Sequence, residues 1–210
     1  MADYATTAEL KADVPDSPLF DPADESYDVV LGKMITAASR LIDKYVGGFE
    51  NCFYPSTDTA TRYYDGNGED ALWIDPLLSL TSLAVSESGG RAASDYTTWT
   101  LNTDFYTYPY HTTPYEKLIV DNDAGSKGTF GTTRKGVKIV GVWGYALTPP
   151  ADVKQACKIQ AMRWFMRAKQ GYQDAGVNAN LGEMIYAQEL DPDVKMLLAP
   201  YRLHNAVTGW

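Results

Sequence analysis

The residues that could do acid–base chemistry gather in one stretch, where Asp65, Glu69, Asp70 and Asp75 stand near Tyr63, Tyr64 and Trp73. A pair of carboxylates beside aromatic rings is what glycoside hydrolysis requires. However, Asp65-Gly66-Asn67-Gly68 is first a hairpin-turn signal, because Asn and Gly accept positive φ. It also lacks the remaining ligand pattern of a calcium loop. His111 sits in Tyr108-Pro109-Tyr110-His111-Thr112 with no orienting acid in view. Gly125-Ser126-Lys127-Gly128 has neither the frame of a phosphate-binding loop nor a following helix, and reads as a mobile loop. Cys52, Cys157, His111 and His204 form no metal-ligand spacing, and no GxSxG or HExxH pattern occurs. The expectation is no catalytic residue, no metal and no cofactor.

Composition points to surfaces instead. The 15 Tyr and 5 Trp are heavy usage, suited either to a β-rich core or to interfaces. A net charge of −9 argues against holding a phosphate backbone. It suits a wall beside DNA, or simply solubility. The first residues, MADYATTAELKADV, carry no secretory pattern, and no apolar run is long enough to span a bilayer. Cys157 lies within an apolar helical pattern, the place of a small buried thiol.

The elements that must position these residues follow from periodicity. A short amphipathic helix covers Thr7 to Val14 and stops at Pro15, with Pro18 and Pro22 keeping the next stretch open. Asp24 to Ser26 offer N-caps for a helix ending near Tyr45, closed by Gly47 and Gly48. Val30, Met34, Ala37, Leu41 and Tyr45 form its apolar stripe, with Leu31, Ile35, Ala38 and Ile42 beside them. From Phe53 to Tyr145 short strands are expected at Thr61–Tyr64, Ala71–Ile74, Leu80–Val85, Thr97–Leu101, Lys117–Val120 and Val137–Tyr145. Turn segments, Ser88-Gly89-Gly90 and Asp123-Ala124-Gly125 among them, separate them, and the set reads as a small antiparallel sandwich or barrel. In the last strand Val137, Ile139 and Trp143 face one side, and Lys138, Val140 and Val142 the other. After Pro149-Pro150 a second long helix carries Val153, Ala156, Cys157, Ala161, Trp164, Phe165 and Ala168 as its core stripe. Lys154, Lys158, Arg163, Arg167 and Lys169 read as its solvated face, and Gly171 and Gly176 close it. A final short helix runs from Asp191-Pro192 towards Ala199-Pro200.

The fold class is therefore α+β: a small bundle of two main helices plus short terminal helices, with an inserted antiparallel β-rich lobe. Residues 1–52 and 146–203 form the helical body, 53–145 the lobe, and 204–210 an extended C-terminal tail.

In this order the pieces resemble the head–tail connector adaptors, or head-completion proteins, of tailed phages. The resemblance rests on Ala38-Ser39-Arg40-Leu41-Ile42-Asp43-Lys44-Tyr45 closing the first long helix. It continues in Thr61-Arg62-Tyr63-Tyr64-Asp65-Gly66 followed by Leu72-Trp73-Ile74-Asp75-Pro76-Leu77. Val137–Tyr145 then leads through Leu147-Thr148-Pro149-Pro150 into Ala151-Asp152-Val153-Lys154-Gln155-Ala156, and Leu197-Leu198-Ala199-Pro200-Tyr201-Arg202 comes last. Together these span most of residues 24–203.

What the resemblance implies is a non-enzymatic virion protein assembled in the host cytoplasm. It would form a homo-oligomeric ring, a dodecamer, binding the portal protein above and a tail-side connector or tail-terminator protein below. DNA would pass through the lumen without specific binding, and no membrane is involved. Under this reading Tyr201, Arg202 and Trp210 are the portal-contact residues. Tyr108, Tyr110 and His111, in the Tyr-rich loop Phe105–Tyr115, contact a neighbouring subunit or the tail. Two rivals stand beside it. One is a carbohydrate- or receptor-binding virion module, suggested by the aromatic β-region; the other is a hydrolase using an acid pair.

Overall fold

A computed structural model describes residues 2–13, 25–54, 57–86, 92–123, 125–169 and 190–202. The chain divides into two compact units, Met1–Asn51 with Pro149–Trp210, and Cys52–Thr148. Pro15, Pro18, Pro22, Asp24, Ser88-Gly89-Gly90, Ala124, Gly171, Gly176, His204 and Trp210 fall outside the described residues.

In the first unit, α1 (Thr7–Ala12) opens with a capping box: the Thr6 hydroxyl accepts from the Glu9 N–H at 3.1 Å, and the Glu9 carboxylate accepts from the Thr6 N–H at 2.8 Å. The long helices are α2 (Asp28–Val46) and α3 (Ala151–Lys169), packed against each other. Leu31, Ile35, Ala38, Ile42 and Val46 from α2 meet Val153, Ala156, Cys157, Ala161 and Phe165 from α3, all buried. Burying one such large aliphatic or aromatic side chain is worth about 1.5–3 kcal/mol, so this seam dominates the unit. Ala38, Ala156 and Ala161 let the backbones approach, and Ser39 Oγ lies 3.5 Å from Cys157 Sγ. The buried thiol is as expected, and burial pushes its pKa up to about 11.

Three expectations are corrected here. The wide apolar face of α2 is only partly covered: Val30 and Ala37 are exposed, while Leu31, Ile35, Ala38 and Ile42 are buried towards α3. Two apolar stripes one residue apart differ by about 100° around the axis, and only the partner helix selects between them. On α3, Trp164 and Ala168 are only half-buried, while Gln160 is fully buried and accepts from the Asp191 N–H at 3.2 Å. Finally, α2 starts at Asp28 with Tyr27 in the N-cap position and no side-chain cap, while Gly47 ends it at φ 78°. α4 (Pro192–Leu198) is capped by Asp191 and lays Val194 and Leu198 on α3.

The second unit holds β1 (Ala60–Tyr64), β2 (Ala71–Val85), β3 (Thr97–Trp99), β4 (Phe105–Tyr108), β5 (Tyr115–Val120) and β6 (Val137–Trp143). They make one six-stranded antiparallel sheet along the path β1-β6-β2-β5-β4, with β3 also on β2. The sandwich or barrel expectation gives way to this single sheet. β6 alternates as expected, with Val137, Ile139 and Trp143 buried and Lys138, Val140 and Val142 half-exposed.

The strands expected at Ala71–Ile74 and Leu80–Val85 are one strand, passing straight through Pro76. Proline offers no N–H to a ladder, but Pro76 sits where the register slips between Trp73 and Leu77, and its carbonyl accepts from Gly144 N–H at 2.8 Å. The hairpin reading of Asp65-Gly66-Asn67-Gly68 is also overturned. β1 and β2 do not pair, because β6 lies between them. The segment instead runs beside residues 129–135: Gly66 N–H donates to Thr133 O at 2.9 Å, and a Cβ on Gly66 would stand 2.6 Å from Gly131 O. Turn residues report permitted φ values, not which strands they join.

Candidate functional site

The carboxylates that suggested acid–base chemistry are engaged in separate structural tasks. Asp75 pairs with Arg62 at 2.5 Å and accepts from the Tyr64 hydroxyl at 2.8 Å, while Arg62 lies 4.6 Å over the Trp143 ring. Burial, then the Asp75 charge, pushes the Tyr64 hydroxyl well above the usual tyrosine range. Asp65 accepts from the Lys135 N–H at 2.7 Å, and Asp70 lies 3.5 Å from the Asn122 amide. No three His, Cys, Asp or Glu side chains among the described residues gather as a metal site would require. No described helix is long and apolar enough to cross a membrane.

Ser126, Lys127 and Gly128 border a cavity of about 610 Å³ with Asp95, Thr97 and Trp99. Gly125 itself packs on backbone, since a Cβ there would lie 2.5 Å from Asp121 O and 2.8 Å from Thr103 O.

What the structure does gather is an aromatic surface. The register places Tyr108 opposite Lys117 and Lys117 opposite Trp73, a row across β4, β5 and β2. Side chains two residues apart share a face, so Tyr106, Ile119 and Ala71 form a second row beside it. The opposite face carries the buried Phe105, Leu118, Val120, Leu72 and Ile74. Trp73, Tyr108 and Tyr110 are exposed at 40%, 43% and 56%, unusual values for rings this large. They are nonetheless ordered: Lys117 Nζ lies 5.3 Å from both the Trp73 and Tyr108 ring centres. Tyr110 stands edge-on to Tyr108 at 5.5 Å and to Tyr106 at 6.2 Å, with the exposed His111 ring 6.4 Å away. The Tyr106 hydroxyl is held by Asp121 at 2.9 Å, which raises its pKa.

Part of the stretch expected to be a loop, Phe105–Tyr108, is thus strand β4, and Tyr108 lies at its end. Trp73 and Lys117 belong to this surface and were missed by sequence reasoning. Alternation along each strand was a signal for both, but only the register shows that they meet.

The other assigned residues lie in the helical unit. The Tyr201 hydroxyl donates to the Asp152 carboxylate, 2.9 and 2.7 Å from its two oxygens, and burial pushes its pKa up to about 12. Arg202 is exposed, its guanidinium 5.5 Å over the Tyr45 ring. Trp210 lies outside the described residues, so these three are not seen together. The basic face expected on α3 is largely paired with acids: Lys154 with Glu9 at 2.8 Å, Lys158 with Asp13, and Arg163 with Asp191 at 3.1 Å. A further network was not foreseen. Asp43, 4% exposed, accepts from the Tyr4 hydroxyl, from Asn51 N–H at 3.1 Å, and pairs with Arg40 at 3.1 Å.

The molecule is thus an α+β chain whose candidate site is a surface and not a cleft. No family model matches the sequence, and no curated protein matches it. Among solved structures, the chain is similar to one from the neck of the empty GTA particle computed with C6 symmetry, with a TM-score of 0.52 and 14% identity over 94% of this chain and 89% of that one. A chain from the neck of the native GTA particle computed with C12 symmetry gives a TM-score of 0.47 and 16% identity over 96% and 95% of the two chains. The first likeness shows a shared fold across nearly the whole length.

Proposed function

We propose that this chain is a non-enzymatic structural subunit of the neck of a tailed-phage-like particle, an adaptor that joins portal to tail and completes the head. The observation that carries the reading is the fold shared with a neck chain over 94% of the length. The ordered aromatic surface supports it, because exposed Trp and Tyr held by their neighbours cost little further ordering on contact.

In this role the chain joins copies of itself in a dodecameric ring within the virion, after assembly in the host cytoplasm. It binds the portal on one side and a tail-side connector or tail terminator on the other. Tyr201 and Arg202, continued by the tail to Trp210, are proposed to meet the portal. Tyr201 does so only through its ring, since its hydroxyl is taken by Asp152. Tyr108, Tyr110 and His111 are proposed to meet a neighbouring subunit or tail protein. Residues 1–52 and 146–203 serve as the adaptor body, and 53–145 as its inserted lobe. Acidic side chains on the channel wall would let DNA slide without adhering.

The test is to mix the purified chain with its cognate portal and image the product by electron microscopy. A ring stacked on the portal is expected. A chain that neither binds the portal nor forms rings refutes the assignment. The exposed rings also favour a second reading, a carbohydrate-binding module, since Trp73, Tyr108 and Tyr110 present faces on which sugar rings stack. Specific retention of a glycan on an array, abolished by Trp73→Ala, would establish it.

A further inference from the structure

We infer that the cavity beside β3, bordered by Asp95, Thr97, Trp99, Lys127, Gly128 and Thr129, is a binding site for a short uncharged saccharide. The inference goes beyond the neck reading and does not rest on it. It also concerns a different place from the exposed Trp73–Tyr108 surface.

The described residues that line the cavity all belong to the β-rich unit, and its volume of about 610 Å³ suits a small ligand. One wall is apolar and fixed in advance. Trp99 is 7% exposed and stacked on Phe130, with ring centres 5.4 Å apart and planes at 21°. The remaining border is polar. Lys127 is half-buried and makes no ion pair or hydrogen bond among the described residues, so its ammonium protons have no acceptor there. The Asp95 carboxylate accepts from the Ala92 N–H at 2.9 Å, which orients it, and a carboxylate has room for further donors. Thr129 Oγ1 accepts from the Gly131 N–H at 3.3 Å and keeps its own proton to donate. Thr97 adds a second hydroxyl. Above Gly128 the space is open, since a Cβ there would meet nothing within 4 Å, so a ligand can reach the backbone.

This mixture selects the ligand class. A phosphate or carboxylate would gain from Lys127 but meet Asp95 and a chain of net charge −9. A cationic amine would gain from Asp95 but meet Lys127. A neutral molecule dense in hydroxyls escapes both costs, because each hydroxyl can donate to a carboxylate and accept from an ammonium. Its C–H surface would lie on the apolar wall at Trp99, as the C–H faces of sugar rings do on aromatic side chains. The glycine-containing loop that fits no phosphate-binding frame thus acquires a use, as the cationic side of a sugar site.

The experiment titrates the full chain with maltose, lactose and N-acetylglucosamine, and in parallel with sodium phosphate and spermidine, by saturation-transfer NMR and calorimetry. It compares wild type, Lys127→Ala, Asp95→Asn and Trp73→Ala, with circular dichroism to confirm that each is folded. The expected result is binding of at least one sugar, weakened about tenfold or more by Lys127→Ala and by Asp95→Asn and unchanged by Trp73→Ala. Should Asp95→Asn lose the fold with its link to Ala92, Lys127→Ala decides alone, because it removes no bond among the described residues. Absence of binding by all three sugars overturns the inference. So does sugar binding that survives Lys127→Ala, sugar binding abolished by Trp73→Ala, or a site that takes phosphate or spermidine in place of sugar. None of these outcomes touches the portal-binding experiment, so the inference and the neck assignment fail separately.

Discussion

At the scale of single residues, tyrosine hydroxyls are the recurrent device. Tyr4, Tyr64, Tyr106 and Tyr201 each donate to an aspartate, on Asp43, Asp75, Asp121 and Asp152. A phenol buried against a carboxylate gains by keeping its proton, so its pKa in the folded chain rises. For Tyr201 the ordinary value of 10 moves up to about 12, first through burial and then through the bond to Asp152. The folded state therefore holds this proton more tightly than the unfolded chain does. The resulting stability is complete below pH 10 and is lost as the pH climbs towards 12. Urea-unfolding midpoints taken across that window are expected to fall for the wild type and to fall less for Tyr201→Phe. An identical slope in the two proteins would mean that Tyr201 ionises equally in both states.

At the scale of elements, the sheet depends on close backbone approach between β2 and β6. A Cβ on Gly141 would lie 2.3 Å from the Ser79 carbonyl oxygen and 2.7 Å from a Leu77 methyl group, at a stretch where β2 is repeatedly bulged. Backbone cannot yield there as a flexible side chain would. Gly141→Ala is expected to destabilise the fold by about 1–3 kcal/mol, measured by chemical denaturation. A loss below about 0.5 kcal/mol would show that the β2–β6 pair has slack there. The same bulging explains how one strand runs through Pro76: β2 changes its partner from β5 to β6 around Leu77, so no ladder bond is demanded of the proline.

At the scale of the whole molecule, charge sets what the chain can hold. The net charge is −9, and on the basic helix Lys154, Lys158 and Arg163 are paired with acids inside the unit. With acids outnumbering bases 27 to 18, the chain repels a phosphate backbone more than it displaces its counterions. A gel-shift titration with duplex DNA at about 150 mM salt is expected to show no retained fragment. Tight, salt-sensitive binding would contradict the proposed sliding surface.

The sequence alone determined the element types and the α+β class. Helical periodicity at residues 28–46 and 151–169, and alternation at 137–143, are consequences of 3.6- and 2-residue repeats that any chain must satisfy locally. The buried Cys157 and the Gly47 helix end were legible for the same reason. Partners were decided only by the tertiary structure. Two apolar stripes on α2 look alike until α3 covers the one through Leu31 and Ile35. Asp65–Gly68 looks like a hairpin until β6 is found between β1 and β2. Trp73, Lys117 and Tyr108 are strangers in the chain until the register puts them in one row. Local periods are written in neighbouring residues, whereas contacts between distant segments follow from which pairing buries the most apolar surface at once.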